Sequence, residues 1–250
     1  MSRTFVIDGL PENASRYRNG YAVVAVDVIR ATTTAISAVS MGRACYPVES
    51  VDAAFHLARK LQRPLLAGEI RGEMPYGFEI NNSPAELAER RDTVRPLILV
   101  SSSGTPLILS ARGCEALYLA CFRNSAAIGR RLARTTHQRI ALLGAGSRGE
   151  FREEDQICCA WIGAHLTLSG FVPKNESTAR ILNRWANARP ADCLISRSAE
   201  YLKRTGQMKD LHFILDKIDD LDQTFILQND EVVMESSCRQ QSMYQPPLSY

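Results

Sequence analysis

Between Tyr21 and Leu168 the chain alternates short runs of β-branched and aliphatic residues with longer stretches of helical periodicity, and few folds accommodate that alternation. Tyr21–Val28, Cys45–Glu49, Pro64–Ala67, Leu97–Val100, Ala116–Ala120 and Arg139–Leu143 read as strands. The helical stretches are Thr33–Met41, Val51–Leu61, Ser83–Arg90, Pro106–Arg112, Ser125–Arg134 and Glu153–Leu168. Strands separated by helices need crossover connections, so the expected class is α/β, with a largely parallel sheet covered by helices on both faces. Beyond Ser169 turn signals thin out; helices at Glu176–Ala188 and Ser198–Arg204 and strands near Leu211–Leu215 and Gln223–Leu227 are expected there. Residues 1–234 read as one domain, followed by a polar, proline-containing tail, Glu235–Tyr250, expected to be loosely ordered.

Composition acts mainly by exclusion. Hydrophobic residues at 45% and charged residues at 23% suit a packed core and exclude disordered and disulfide-scaffold classes. No apolar run approaches the roughly 20 residues that span a bilayer, and the N-terminal residues lack the apolar core of a signal peptide, so a cytoplasmic location is expected. Thirty basic residues against 27 acidic ones give +3, too little to imply nucleic-acid or membrane binding, whereas a small anionic ligand is compatible. A homo-oligomer is also compatible with this class. The acid-free stretch Ala116–Gly149 carries Arg123, Arg130, Arg131, Arg134, Arg139 and Arg148, read as a solvated basic helix face. Seven cysteines without a CxxC, and His56, His137, His165 and His212 without ligand spacing, read as reduced buried thiols and structural imidazoles.

Ligands of open parallel sheets bind outside the carboxyl ends of the strands, where loops and helix starts converge. This chain loads those positions with polar residues. After the first strand come Asp27, Arg30 and three hydroxyls, Thr32, Thr33 and Thr34; one hydroxyl suffices to cap a helix, so the surplus suggests an anion cradle. Ser103-Gly104-Thr105-Pro106, after the strand Leu97–Val100, is both a competent helix start and an oxyanion candidate.

Gly144-Ala145-Gly146-Ser147-Arg148-Gly149 spells the dinucleotide fingerprint between a strand and a helix. That helix, however, opens with Glu150, Glu153, Glu154 and Asp155, each of which repels a phosphate by about 4 kcal/mol at ~4 Å and an effective dielectric of ~20. The segment after it, Ser169–Lys174, is also too short and proline-interrupted for the ribose-binding strand. Carboxylates beside an anion cradle make sense around a divalent cation, since Mg²⁺ takes one or two carboxylates and shares its other positions with water and phosphate. Asp27, Glu69, Glu154 and Asp155 are the candidate ligands, and the long connection Gly68–Pro84 that begins at Glu69 has a length that is often functional.

Read in order, Val26–Thr34, Ala67-Gly68-Glu69, Gly77–Pro84, Ser103-Gly104-Thr105, Asn124, Ala145-Gly146 and Glu154-Asp155 resemble the 2-phosphosulfolactate phosphatase family, over about Val23 to Met234. The resemblance implies a three-layer α/β/α fold and Mg²⁺-dependent hydrolysis of a sulfonated 2-hydroxy acid phosphate, giving sulfolactate and phosphate in coenzyme M biosynthesis. Under it, Asp27 ligates the metal or attacks phosphorus, and Glu69, Glu154 and Asp155 complete the acidic set. Arg30, Thr32, Thr33, Thr34, Ser103, Gly104 and Thr105 hold phosphoryl oxygens, and Gly146 is a further substrate-binding position. Asn82 and Ser83 orient the substrate's acid groups, with Arg71 or Arg148 as counter-charge.

The chain departs from the family pattern in places. Ile70 replaces the usual Arg after Gly-Glu, with Arg71 one position later; Glu79 and Asn81 alter the Gly-Phe-Asp-x-Gly-Asn-Ser-Pro motif; and Ser103 stands for Asn. Those changes keep two alternatives open: a phosphatase for another 2-hydroxy acid phosphate, and a non-catalytic anion-binding relative. A haloacid-dehalogenase-type mechanism needs a second Asp where Ile29 stands.

Overall fold

The fold is seen in a computed structural model, which describes residues 2–146 and 149–235. Ten strands form one sheet among these residues: β1 (Thr4–Asp8), β2 (Ala22–Val26), β3 (Cys45–Val48), β4 (Leu65–Gly68), β5 (Leu97–Val100), β6 (Ala116–Ala120), β7 (Arg139–Gly144), β8 (Val172–Pro173), β9 (Phe225–Gln228) and β10 (Glu231–Met234). The order across it is β4-β5-β3-β10-β9-β6-β2-β7-β1-β8. Two groups of parallel strands, β4-β5-β3 and β6-β2-β7-β1-β8, are therefore joined by an antiparallel hairpin, β9-β10. Because each hairpin strand is antiparallel to its neighbours, the two groups run in opposite nominal senses.

Side chains alternate across the sheet as the period of two requires. On β2, Val23 and Ala25 enter one core, whereas Ala22, Val24 and Val26 enter another on the opposite face. The first core takes α1 (Ala31–Ser40), α3 (Pro84–Ala88) and α4 (Gly104–Ser110) through Ile36, Leu87 and Leu107. The opposite face is covered over β6, β2, β7 and β1 by α5 (Ser125–Ala133), α6 (Glu153–Leu168) and α7 (Glu176–Trp185), and over β4 and β5 by α2 (Val51–Ala58). Helix α1 packs against β3, β5, β6 and β10, and α4 touches both β3 and β2, so the sheet curves around these two helices. The helix starts follow local chemistry: Ser50, Ser83, Asn175 and Ser196 each accept an N–H three residues on.

Two further helices, α8 (Arg197–Arg204) and α9 (Met208–Asp216), share a small core of Ala199, Leu202 and Leu211. Leu211–Leu215, expected as a strand, lies inside α9, where Leu211 and Ile214 bury at helical spacing. β1 and β10 are strands the sequence pattern did not announce, and Val172–Pro173 forms a two-residue edge strand. The basic face of α5 is not simply solvated. Arg130 pairs with Asp222, Arg131 with Glu235 at 2.6 Å, and the buried Arg123 with Asp220 at 2.7 Å, fixing the approach to the hairpin. Glu235, expected at the head of a loose tail, is thus held, and the remainder of that tail, 236–250, lies outside the described residues. No described helix is long and apolar enough to cross a membrane. The described cysteines are unpaired, and burial pushes the Cys158 and Cys159 thiols well up.

Candidate active site

Asp27 follows β2 directly, so the strand delivers its carboxylate to the sheet's edge, and only 6% of the residue is exposed. The Ala31 N–H at the start of α1 donates to it, and its own N–H donates to Thr32 Oγ1 at 2.9 Å. Burial, and then the Glu69 carboxylate, push the Asp27 carboxyl up to about 7, with Glu154 adding to the effect and Arg30 opposing it. Asp155, in the first turn of α6, accepts the Val28 N–H at 2.9 Å and the Ala145 N–H at 3.1 Å, clasping the ends of β2 and β7. Burial raises its carboxyl well above the ordinary range, and the neighbouring Asp27 and Glu154 charges raise it further.

Glu69 closes the floor from β4. One of its oxygens accepts the Ser102 N–H at 2.7 Å, and the other accepts the Gly72 N–H at 2.6 Å and the Ser102 hydroxyl at 2.9 Å. The loop after β5 is folded on itself: the Thr105 N–H donates to Ser101 Oγ at 2.8 Å, and the Ser101 N–H to Thr105 Oγ1 at 3.0 Å. Gly104 is required there, because a Cβ would overlap both Asp27 Oδ2 and Ala31 Cβ. The Ser103 hydroxyl makes no capping bond to α4.

These pieces meet in one cleft of about 840 Å³, whose lining includes Asp27, Glu69, Arg71, Ser103, Gly146 and Asp155. The carboxyl ends of β2, β4, β5 and β7 thus face a common space. Asn82 also lines it, 2% exposed, with its Oδ1 buried and unpartnered. Ile70 is part of the wall, whereas Glu79 pairs with Arg95 away from the cleft and Asn81 accepts from the Asn82 N–H.

Several expected site residues are used differently. Thr32, Thr33 and Thr34 are fully buried, and their hydroxyls donate to the carbonyls of Asp27 or Ala120, Val28 and Arg30, so they tie α1 to the strand ends and form no cradle. Thr105 is consumed by its turn with Ser101. Ser83 caps α3 and donates to Asp210 at 2.6 Å. Arg30 lines the cleft, yet its guanidinium donates to Asp210 and to Gln207, each at 2.6 Å. Asp210 completes this knot by accepting the Ala85 N–H at 3.0 Å. It is a residue that sequence reasoning missed, since its partners lie 125–180 positions away and it precedes the run misread as a strand. Glu154 does not line the cleft; it is buried, Ser198 and Ser196 donate to it, and burial raises its carboxyl. Arg148 lies outside the described residues.

The dinucleotide reading loses its geometry. A Cβ at Gly146 would overlap the Gly9 and Glu150 carbonyls, so this glycine permits chain crossing, and buried carboxylates occupy the first turn of α6. Among the described residues no group of three acidic, histidine or cysteine side chains closes into a metal cage, so the four-carboxylate set does not assemble as one. The floor nevertheless fits a magnesium ion, which needs only one or two carboxylates. The lining holds no thiol or imidazole, and the Asp27 and Asp155 carboxyls are raised by burial and then by neighbouring carboxylates, while the Arg30 guanidinium is engaged by Asp210.

The sequence profile of the family described as 2-phosphosulpholactate phosphatase matches residues 8–230. A "Probable 2-phosphosulfolactate phosphatase" of Symbiobacterium thermophilum is 35% identical over 201 residues, covering 78% of this chain and 86% of the relative. Proteins given the same name in Pseudothermotoga lettingae and Thermus thermophilus are 32% and 30% identical, over 82% and 83% of this chain and 87% of each relative.

Proposed function

Since the chain belongs to the 2-phosphosulpholactate phosphatase family, we propose that it hydrolyses the phosphate monoester of a 2-hydroxy acid, with 2-phosphosulfolactate as its substrate and Mg²⁺ as its cofactor. The observation that carries this reading is the buried, charge-frustrated Asp27 at the floor of a cleft whose walls bear guanidinium groups. A bound magnesium ion would supply charge neutralisation of the phosphoryl oxygens and activation of water. Asp27 and Asp155 are the residues that would hold it, because both line the floor and lack a guanidinium partner.

Asp155 and the other lining residues also position. Asp155 keeps the ends of β2 and β7 in register through its two backbone N–H partners, so Asp27 is presented from a rigid edge. Glu69 fixes the Gly72 and Ser102 loops by the same device. Ser103 offers a hydroxyl that makes no capping bond, and Arg71 a charge, to the bound ester. Asp27 has two chemically distinct duties open to it, ligand of the ion or nucleophile at phosphorus; trapping of an acyl phosphate by hydroxylamine reports the second alone.

The test is phosphate release from a panel of 2-phospho-hydroxy acids, including 2-phosphosulfolactate, 2-phospholactate and 2-phosphoglycerate, with Mg²⁺ and with EDTA. Release from 2-phosphosulfolactate in preference to the others is expected, abolished by EDTA and lowered by at least ~100-fold in Asp27→Asn. No release from any ester by a folded, metal-supplemented protein would sink the catalytic reading.

A further inference from the structure

The cleft is electrically two-faced. Its floor is acidic, with Asp27, Glu69 and Asp155, while Arg71 and Arg204 stand on its walls, which also carry Glu49, Glu150 and Glu200. The other guanidiniums of the lining are engaged: Arg30 with Asp210, Arg197 with Glu150, and Arg152 with the Phe151 carbonyl at 3.1 Å. Arg71 and Arg204 make no side-chain hydrogen bond or ion pair within the described residues. They belong to segments far apart in sequence that one contact locks together. The Tyr201 hydroxyl donates to the Gly72 carbonyl at 2.9 Å, and Gly72 has no room for a Cβ against that hydroxyl. Tyr201 lies three residues before Arg204, on the same face of α8, and Gly72 follows Arg71 directly. Arg71 itself is held at φ 55°, a left-handed conformation that an arginine rarely adopts and that the surrounding bonds enforce. Complementing the dipole at the end of α8 would account for a cation at Arg204. It does not account for a second uncompensated cation, on a strained residue, across the same cleft.

We propose that Arg204 is a specificity-determining residue which, together with Arg71, clasps the two non-reacting anionic groups of the substrate; this rests on the phosphatase reading above. Arg71 is two residues from Glu69, hence beside the floor where the phosphoryl group reacts, and it takes the carboxylate on the carbon bearing the ester. Arg204, on the helical wall, takes the acid group one carbon further out. The guanidinium fork suits both, since carboxylate and sulfonate each offer two coplanar oxygens. A cation supplied by α8 also lets the chain carry Ile70 where its family usually carries arginine.

The experiment compares wild type, Arg204→Ala and Arg204→Lys on 2-phosphosulfolactate and on 2-phospholactate, which lacks the sulfonate. It also measures binding of sulfolactate and lactate by calorimetry, without turnover. For Arg204→Ala we expect kcat/KM on the sulfonated ester to fall about 10- to 100-fold, mostly through KM, with under about 3-fold change on phospholactate. Sulfolactate affinity falls in parallel, and lysine restores only part of it. Equal losses on both esters would assign Arg204 a merely structural role, and unchanged values on both would show it solvated; either overturns the proposal while leaving the phosphatase intact. If wild type releases no phosphate yet binds sulfolactate through Arg204, the phosphatase reading fails and the clasp stands. If wild type neither turns over nor binds sulfolactate, both fall.

Discussion

Asp27 is buried among carboxylates while Arg30 is bound to Asp210, and that imbalance gives the protein a characteristic pH dependence. The folded-state value of about 7 lies above the ordinary aspartate value of about 3.9, so the folded, metal-free protein binds a proton that the unfolded chain has already released. Stability from this group is complete below about pH 4 and is lost as the pH rises toward 7. In urea titrations with EDTA, the unfolding free energy of wild type relative to Asp27→Asn is therefore expected to fall across that window and level off above it. Mg²⁺ should flatten the slope; an EDTA difference that is flat or rises with pH would refute the assignment. Gly104→Ala tests the same contact sterically. Its methyl group would displace the Asp27 carboxylate, so kcat is expected to drop at least ~10-fold while the fold, read by circular dichroism, persists. At this scale the structure brings Asp27, Glu69 and Asp155 to one cleft but not Glu154, and it uses the threonine hydroxyls elsewhere. Thr32, Thr33 and Thr34 have carbonyl partners within five residues, or across the sheet at Ala120, that no spacing reveals.

Helix α8 lines the cleft, and α9 packs beside it. Their shared apolar core is small, and polar pins fix them to the body: Arg30 with Asp210, Ser83 with Asp210, and Tyr201 with Gly72. Removing one member of the buried pair leaves an uncompensated charge, so Asp210→Ala is expected to cost about 3–5 kcal/mol. It should also raise hydrogen exchange across α3 and α9 before the central strands open; uniform exchange changes would argue against a local pin. Leu211–Leu215 shows why this element was illegible. The run Leu-His-Phe-Ile-Leu suits either period, and what selects the helix is Asp210 docking onto the start of α3, a contact between residues 125 positions apart. The alternation through Leu168 was legible because each strand there is bounded by its own turns and followed by a helix with an apolar face.

At the scale of the whole molecule, the hairpin β9-β10 is the seam that joins two strand groups into one sheet. Phe225 and Val232 are fully buried in it. Phe225→Ala is expected to cost about 3–5 kcal/mol, and it should lower the cooperativity of urea unfolding, with fluorescence and circular dichroism transitions separating. Coincident transitions at an unchanged midpoint would show that the groups hold together without the seam. The sheet class was readable from the alternation, but this arrangement was not, because β10 pairs with β3 through Val232 and Cys45, 187 residues apart.

That seam also sets an order of events during synthesis. β9 and β10 leave the ribosome after every strand they join, so β3 and β6 emerge as bare edges that await partners translated more than 100 residues later. Open edges are templates for pairing with the wrong chain, so mispairing is most accessible in the interval before residue 234 clears the exit tunnel. Stalled chains exposing residues to 220 should be cleaved across both strand groups by added protease, and chains exposing 235 should resist. Equal resistance would mean that the two groups close on their helices before the hairpin arrives.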